Sequence, residues 1–128
     1  MTVRIATVTV RRAAILAACA LFAAAAHAQA PVKTQDGVLA NQAGMTLYTF
    51  DNDTAGKSVC NDGCAKNWPP LAAAADAKPQ GDYSIVTRDD GSKQWAYQGK
   101  PLYLFVKDAK PGDKQGDNVK NVWHVIKP

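Results

Sequence analysis

The chain contains no glutamate, so its eleven acidic residues are all aspartates, and only two of its 128 residues are histidines. Aspartate favours turns whereas glutamate favours helices, so this bias suits a β-rich chain. General acid/base catalysis usually draws on histidine or paired carboxylates, and nucleophilic catalysis needs a base beside a serine or cysteine. The scarcity of such groups argues against an enzyme.

The chain also lacks an apolar run long enough to cross a bilayer. Its longest run, Ala13–Ala26, is shorter than the roughly 20 residues that a membrane helix needs. Three arginines stand before the run, and Ala26–Ala28 has the small-x-small form of an export cleavage site. The sequence therefore predicts that residues 1–28 are a signal peptide and that the protein is periplasmic or secreted. Cleavage after Ala30 fits nearly as well.

A second export signal lies inside the same segment. Leu16–Cys19 matches the lipobox at which bacterial lipoproteins are cut and acylated, although only six residues separate Arg12 from Cys19. The predicted alternative to a free exported protein is a lipid-anchored one, because the acyl chains on a lipobox cysteine would hold it firmly in a membrane. Membrane attachment is expected only if Cys19 is lipidated.

Removal of the signal peptide leaves residues 29–128, which by length form one domain. The formal charge of +4 falls at the same time, because three of the cations leave with the signal. The remaining chain carries twelve Lys and Arg and eleven Asp, and positive and negative residues alternate along it. A basic patch for nucleic acid is therefore absent from the sequence, and no nucleic-acid partner is expected.

An internal repeat is the most informative pattern in the chain. Gly44–Asp53 recurs 55 positions later as Gly99–Asp108, and each copy is followed, fifteen residues beyond its last Asp, by Trp68 or Trp123. Self-similarity at a fixed period indicates two copies of one supersecondary unit that pack against each other. We place the repeats at about residues 37–73 and 91–128, joined by an Ala/Pro-containing linker.

The residues around each decapeptide are β-branched, aromatic or Leu, and Gly, Asn, Asp and Pro bound them. Gly37–Ala40 and Gln94–Tyr97 each lead through a short turn into the next strand, which predicts two hairpins. In the second copy Leu102, Leu104 and Val106 share one face and two aromatic residues share the other, so both faces are apolar and we expect an interior strand. The predicted fold is all-β, a small antiparallel β-domain built from two pseudo-twofold-related repeats of about 50 residues.

The motifs resemble a known family. The chain carries two Tyr-x-Phe-x-x-Asp motifs, a Ser-x-Cys-x-x-x-Cys-x-x-x-Trp-Pro-Pro segment over residues 58–70, and Asp90–Ser92. This combination resembles the secreted-repeat family of predicted bacterial lipoproteins with a Yx(F/W/Y)xxD motif. The resemblance covers nearly all of the chain after the signal peptide. It implies an exported bacterial envelope protein of tandem repeats, in a family without an established biochemical activity.

Cys60 and Cys64 are the only cysteines after the signal peptide, and a turn-forming Asn-Asp-Gly segment separates them. In an exported protein this pattern predicts a disulfide. The alternative is that the two thiolates bind Cu(I), with His124 and Met45 as the candidates to complete the site. A thiol-redox role is a further alternative, although the spacing is not that of the usual Cys-x-x-Cys motif.

The repeated motif residues are expected to form the core across the pseudo-twofold axis, and they are Tyr48, Phe50, Asp53, Trp68, Tyr103, Phe105, Asp108 and Trp123. The two aspartates are predicted to accept hydrogen bonds from backbone N–H groups where each strand turns. Two alternatives stay open. The aspartates can act as ligands, and the aromatic residues can line a pocket for an envelope ligand at the repeat interface.

The sequence thus predicts a non-enzymatic binding or structural accessory module of the bacterial envelope, with no catalytic residues and no cofactor. Its partner is expected to be an envelope ligand or protein whose identity the sequence does not give. The alternative function is a periplasmic Cu(I)-binding or thiol-redox protein that uses the Cys60/Cys64 pair.

Overall fold

The computed structural model describes residues 30–128. The predicted signal peptide and Cys19 lie outside this range. Within it, no helix has the length and apolar character needed to cross a membrane.

The regular structure of the described chain consists mostly of short strands, and its helical segments have only three to five residues. The strands are β1 (Val32–Gln35), β2 (Val38–Asn41), β3 (Tyr48–Phe50), β4 (Tyr83–Thr87), β5 (Lys93–Tyr97), β6 (Lys100–Pro101) and β7 (Trp123–Val125). The helical segments are α1 (Gly63–Asn67) and a 3₁₀ turn at Val119–Asn121. All pairings between the strands are antiparallel, which confirms the predicted fold class.

Two of the sheets are formed by consecutive strands, one as a hairpin and one as a three-stranded meander. β1 pairs with β2, and β4 pairs with β5, which then pairs with β6. Two of the turns, Asp36–Gly37 and Gln98–Gly99, have positive φ at both central residues, which is the geometry of the type I′ turns that suit tight hairpins. β1 was not predicted, because its sequence VKTQ is short and mostly polar.

The pseudo-twofold axis passes between Tyr48 and Tyr103. The backbone N–H of each donates to the carbonyl of the other, at 2.8 and 2.9 Å. The pseudo-twofold symmetry also relates two further pairings. β3 pairs with β7, so that Phe50 lies opposite Trp123, and the equivalent pairing in the other half is the bridge between Tyr103 and Pro70. β3 of the first repeat therefore pairs with the end of the second repeat, and Tyr103 of the second repeat pairs with the end of the first.

One sequence prediction is wrong in this region. The second decapeptide does not form a continuous interior strand, because β6 ends at Pro101 and the chain turns at Val106. Val106 is 52% exposed, whereas Leu102 is fully buried. The turn is closed by a hydrogen bond from the N–H of Asp108 to the carbonyl of Phe105, so the motif bends where a longer strand was expected.

The core has two parts, on opposite sides of the Tyr48–Tyr103 bridge. One is largely aliphatic and contains Leu39, Leu47, Leu71, Trp95 and Leu102. The other is aromatic and contains Tyr48, Cys60, Trp68, Tyr103 and Trp123. Leucine and tyrosine are adjacent in both decapeptides, and neighbouring residues of an extended chain point to opposite faces, so each copy feeds both cores.

Candidate functional site

The aromatic core is a column of four stacked rings that alternates between the repeats. Phe50 stacks on Trp123 at 4.2 Å, Trp123 on Trp68 at 3.8 Å, and Trp68 on Phe105 at 4.0 Å, with interplanar angles of 13°, 3° and 20°. The tryptophans are buried, while the terminal phenylalanines are half-buried. Stacked aromatic pairs stabilise beyond their buried area, so the repeats hold each other through this column.

The Tyr and Asp residues of the motif bond across the repeats. The Tyr48 hydroxyl donates to Asp108 at 2.6 Å, and the Tyr103 hydroxyl donates to Asp53 at 2.6 Å. The second carboxylate oxygen of each Asp accepts a backbone N–H, from Gln115 at 2.9 Å or Val59 at 2.7 Å. The motif is therefore a reciprocal clasp, since each repeat supplies the acceptor for the other repeat's tyrosine.

Burial sets the ionisation of the clasp. Desolvation is the main cause that raises the pKa of the Tyr103 hydroxyl to about 12, and the hydrogen bond to Asp53 adds to it. Desolvation also raises the pKa of Tyr48 well above its usual value, again helped by the hydrogen bond to its aspartate. Burial raises the pKa of Asp53 as well, although its hydrogen bonds with Tyr103 and Val59 and the charge of Arg88 oppose the shift.

These raised tyrosine pKa values predict a loss of stability in alkali. Between pH 10 and 12 the unfolded chain releases a proton that folded Tyr103 retains. The contribution of Tyr103 to the free energy of unfolding is therefore fully present below pH 10 and is lost as pH rises towards the folded pKa near 12. Each retained proton lowers the free energy of unfolding by about 1.4 kcal/mol per pH unit. Guanidinium unfolding curves from pH 9 to pH 11.5 measure the slope. The variant Tyr103→Phe should show a slope shallower by that amount, and an unchanged slope would contradict the assignment.

Cys60 and Cys64 form the predicted disulfide, with a Cα–Cα distance of 5.2 Å. Cys60 is fully buried in the aromatic core, and Cys64 lies in the first turn of α1, where it is half-buried. So short a loop constrains the unfolded chain by roughly 2 kcal/mol in the chain-entropy model. The bridge fixes the segment that carries Trp68 into the ring column.

A buried arginine directly after β4 holds the same segment. The Arg88 guanidinium donates to Ser58 Oγ at 2.9 Å, to Gln94 Oε1 at 2.7 Å and to the Cys60 carbonyl. Ser58 Oγ also lies within hydrogen-bond distance of the Tyr103 hydroxyl. A buried charge is tolerated when it is well hydrogen-bonded, so Arg88 ties the disulfide loop to the clasp.

A hollow of about 410 Å³, called the axial hollow below, lies beside the ring column where the two repeats meet. Trp68 and Trp123 are equivalent residues of the two repeats and both line it, as do Asn67 and its equivalent Val122. It is lined by Phe50, Asn52, Gly63, Cys64, Asn67, Trp68, Lys120, Val122 and Trp123. An interface pocket with mainly apolar walls and a few polar groups is the usual form of a binding site.

Two further hollows occupy equivalent places in the repeats but differ in chemistry. Met45, Pro69, Leu104 and Val106 help to line one of about 190 Å³. The equivalent residues of the opposite repeat, 55 positions away, are Lys100, His124, Thr49 and Asp51. They help to line the other hollow, of about 360 Å³. In this polar hollow His124 Nε2 lies 2.7 Å from a carboxylate oxygen of Asp51.

The residues of the copper hypothesis are not brought together. Cys64 lines the axial hollow, Met45 the apolar hollow and His124 the polar hollow. Cys60 and Cys64 are joined as a disulfide, so neither presents a thiolate in this structure. Over residues 30–128 there is no group of three or more His, Cys, Asp or Glu side chains arranged to hold a metal ion.

Sequence reasoning did not identify several residues of the site. Arg88 could have been singled out as the only arginine after residue 12. Gly116 gives no signal of its own, yet a Cβ there would lie 2.7 Å from a Trp68 ring atom. Lys120, which lines the axial hollow with a left-handed backbone at φ 50°, also carries no sequence signature.

The fold and the clasp define a duplicated β-repeat protein in which two copies of one motif complete each other. The chain belongs to the family described as a secreted repeat of unknown function, whose model matches residues 30–72 and residues 84–127. It is therefore an exported protein. A search of curated proteins and a search of solved structures found no significant match.

Proposed function

We propose that this protein is a non-enzymatic binding module of the bacterial envelope, and that its ligand occupies the axial hollow. One observation carries the proposal: the hollow lies where the two repeats meet, and aromatic rings from both repeats form its wall. The rings supply apolar contact, and the amides of Asn52 and Asn67 can hydrogen-bond a ligand. This combination suits a saccharide, which presents both C–H faces and hydroxyl groups, and saccharides are abundant in the envelope.

The positions of the ionisable groups support a binding role over catalysis. His124 is the single histidine after residue 29, and it lies outside the axial hollow, bonded to Asp51. The hydroxyls of Tyr48 and Tyr103 are committed to the clasp, and burial raises their pKa values, which makes them poor proton donors and nucleophiles near neutral pH.

The tryptophans provide a direct test. The chain has three, and Trp68 and Trp123 line the hollow whereas Trp95 is buried in the aliphatic core. Isotope-labelled protein should give three indole N–H signals by NMR. Soluble peptidoglycan fragments released by lysozyme should shift the signals of Trp68 and Trp123 and leave that of Trp95 in place. The fragments should keep their masses during the titration, because no turnover is expected.

A matched pair of variants locates the site. Phe50 and Phe105 end the ring column in the same way, but only Phe50 lines the axial hollow. Phe50→Leu should therefore weaken binding, whereas Phe105→Leu should reduce stability by a similar amount and leave binding unchanged. The proposal fails if no fragment shifts the two signals, or if both variants bind as the parent does.

A further inference from the structure

Two residues that line the axial hollow carry an indole N–H group, which is a hydrogen-bond donor. In the described part of the chain neither indole nitrogen of Trp68 or Trp123 has a hydrogen-bond partner, and neither is sealed from solvent. The two rings are only 6% and 3% exposed, and the axial hollow is lined by both. An indole nitrogen can only donate, so each of these N–H groups can bond an oxygen of a ligand that reaches it.

The charge of the hollow has one sign. Lys120 lines it, and no aspartate is among its lining residues in the described chain. Lys120 also forms no ion pair within residues 30–128. A lysine among the lining residues, with no carboxylate there to offset its charge, favours a ligand that carries an oxyanion, because charge-assisted hydrogen bonds are stronger than neutral ones.

The backbone at Lys120 gives independent support. Its φ of 50° and ψ of 21° lie in the left-handed region, which lysine adopts with difficulty and glycine adopts freely. Asn118 and Asn121, on either side, are also left-handed at φ 64° and 56°. Strained conformations of this kind concentrate at ligand sites, where a particular side chain is needed in a particular place.

We infer that the ligand is an acidic saccharide, a sugar ring that carries a carboxylate or phosphate, and that Lys120 is the residue that selects the acidic group. The inference rests on the proposed function and narrows it. The ring column contacts the sugar, the indole N–H groups donate to its oxygens, and the Lys120 ammonium pairs with the oxyanion.

Three probes test it by calorimetry and by the same indole signals. N-acetylglucosamine is neutral, N-acetylmuramic acid adds a carboxylate to the same ring, and N-acetylglucosamine 6-phosphate adds a phosphate. At least one acidic probe should bind about tenfold more tightly than the neutral sugar, which is the effect of one charge-assisted contact. The acidic probe that binds more tightly identifies the source of the oxyanion.

Variants of Lys120 complete the test. Lys120→Gln should abolish the preference for the acidic probe and retain binding of the neutral sugar. Lys120→Arg should keep the preference for the acidic probe. Lys120→Gly provides a second charge-free variant whose backbone suits the left-handed conformation. Lys78→Gln, at an exposed linker position, makes the same change in net charge and should have no effect.

The outcomes separate the two levels of the proposal. Equal affinity for acidic and neutral probes, or an acid preference that survives Lys120→Gln and Lys120→Gly, overturns the inference and leaves the binding function standing. Absence of binding by all three probes overturns the inference, and the lysozyme-released fragments then decide the proposed function independently.

Discussion

Replacing Asp108 with alanine is expected to lower the free energy of unfolding by about 3 kcal/mol, since hydrogen bonds to a charged acceptor contribute roughly 1.5–3 kcal/mol and their buried donors would be orphaned. Asp108 is 7% exposed and accepts hydrogen bonds from the Tyr48 hydroxyl and the Gln115 N–H. Tyr48 is fully buried, and its other partner, the Gly116 N–H, is a donor. The Tyr48 hydroxyl would therefore have no acceptor left.

The pseudo-twofold partner supplies the control. Asp53→Ala removes the equivalent acceptor, but the Tyr103 hydroxyl keeps Ser58 Oγ as a second partner. We therefore expect Asp53→Ala to cost less than Asp108→Ala, by about 1 kcal/mol, the typical net value of one hydrogen bond. Asp76→Ala, at an exposed linker residue, should have little effect. Denaturant unfolding followed by tryptophan fluorescence measures all three, and equal losses at Asp53 and Asp108 would contradict the asymmetry.

Substitution of Gly116 by alanine is expected to destabilise the protein by about 3 kcal/mol, the upper part of the range for overpacking a filled core. The added Cβ would lie 2.7 and 2.8 Å from two Trp68 ring atoms and 2.9 Å from Tyr48 Cε1. These rings are rigid and already packed, Trp68 against Trp123 and Phe105, so they cannot rotate away. The Gly116 N–H would also be displaced from the Tyr48 hydroxyl, which it reaches at 3.2 Å.

Gly63 is the matched control for this substitution. Like Gly116 it has no positive φ, and a Cβ at Gly63 meets no atom within 4 Å. Gly63→Ala should be neutral or stabilising by up to about 1 kcal/mol, because alanine is the better residue in a helix such as α1. If the two alanine variants had the same stability, steric contact at Gly116 could not be the cause.

The overall fold was accessible from the sequence because its signals are local. The fixed period of 55 residues indicated duplication, and the alternation of residues placed Tyr48 in the core, whereas the burial of Leu47 in a second core was not predicted because Thr49 and Asp51 share its face. The separation of four positions between Cys60 and Cys64, across a turn-forming segment, indicated the disulfide, which is confirmed. The strand alternation and the disulfide are set within a few residues of chain, and the repeat is visible because its period has no insertion.

The clasp was not accessible, because a repeat cannot reveal which copy its residues contact. Tyr48 could bond Asp53 or Asp108 with the same motif, and only the backbone pairing of Tyr48 with Tyr103 directs it to Asp108. Arg88 was missed for a different reason. It follows β4, where the connection to β5 is longer than the two-residue turn between β1 and β2, and the repeat pattern gives no guide to an insertion.

The clasp also bears on how such a chain could arise. Each tyrosine takes its acceptor from the opposite repeat, and each tryptophan stacks on the phenylalanine of the opposite repeat. This is an isologous contact, the self-complementary surface of a twofold homodimer, contained here in one polypeptide. A half-length ancestor could have met the same bonding needs by pairing with an identical copy. Fusion through the linker would then have made the association independent of concentration and left each half free to acquire its own residues, such as the disulfide in one and Lys120 in the other.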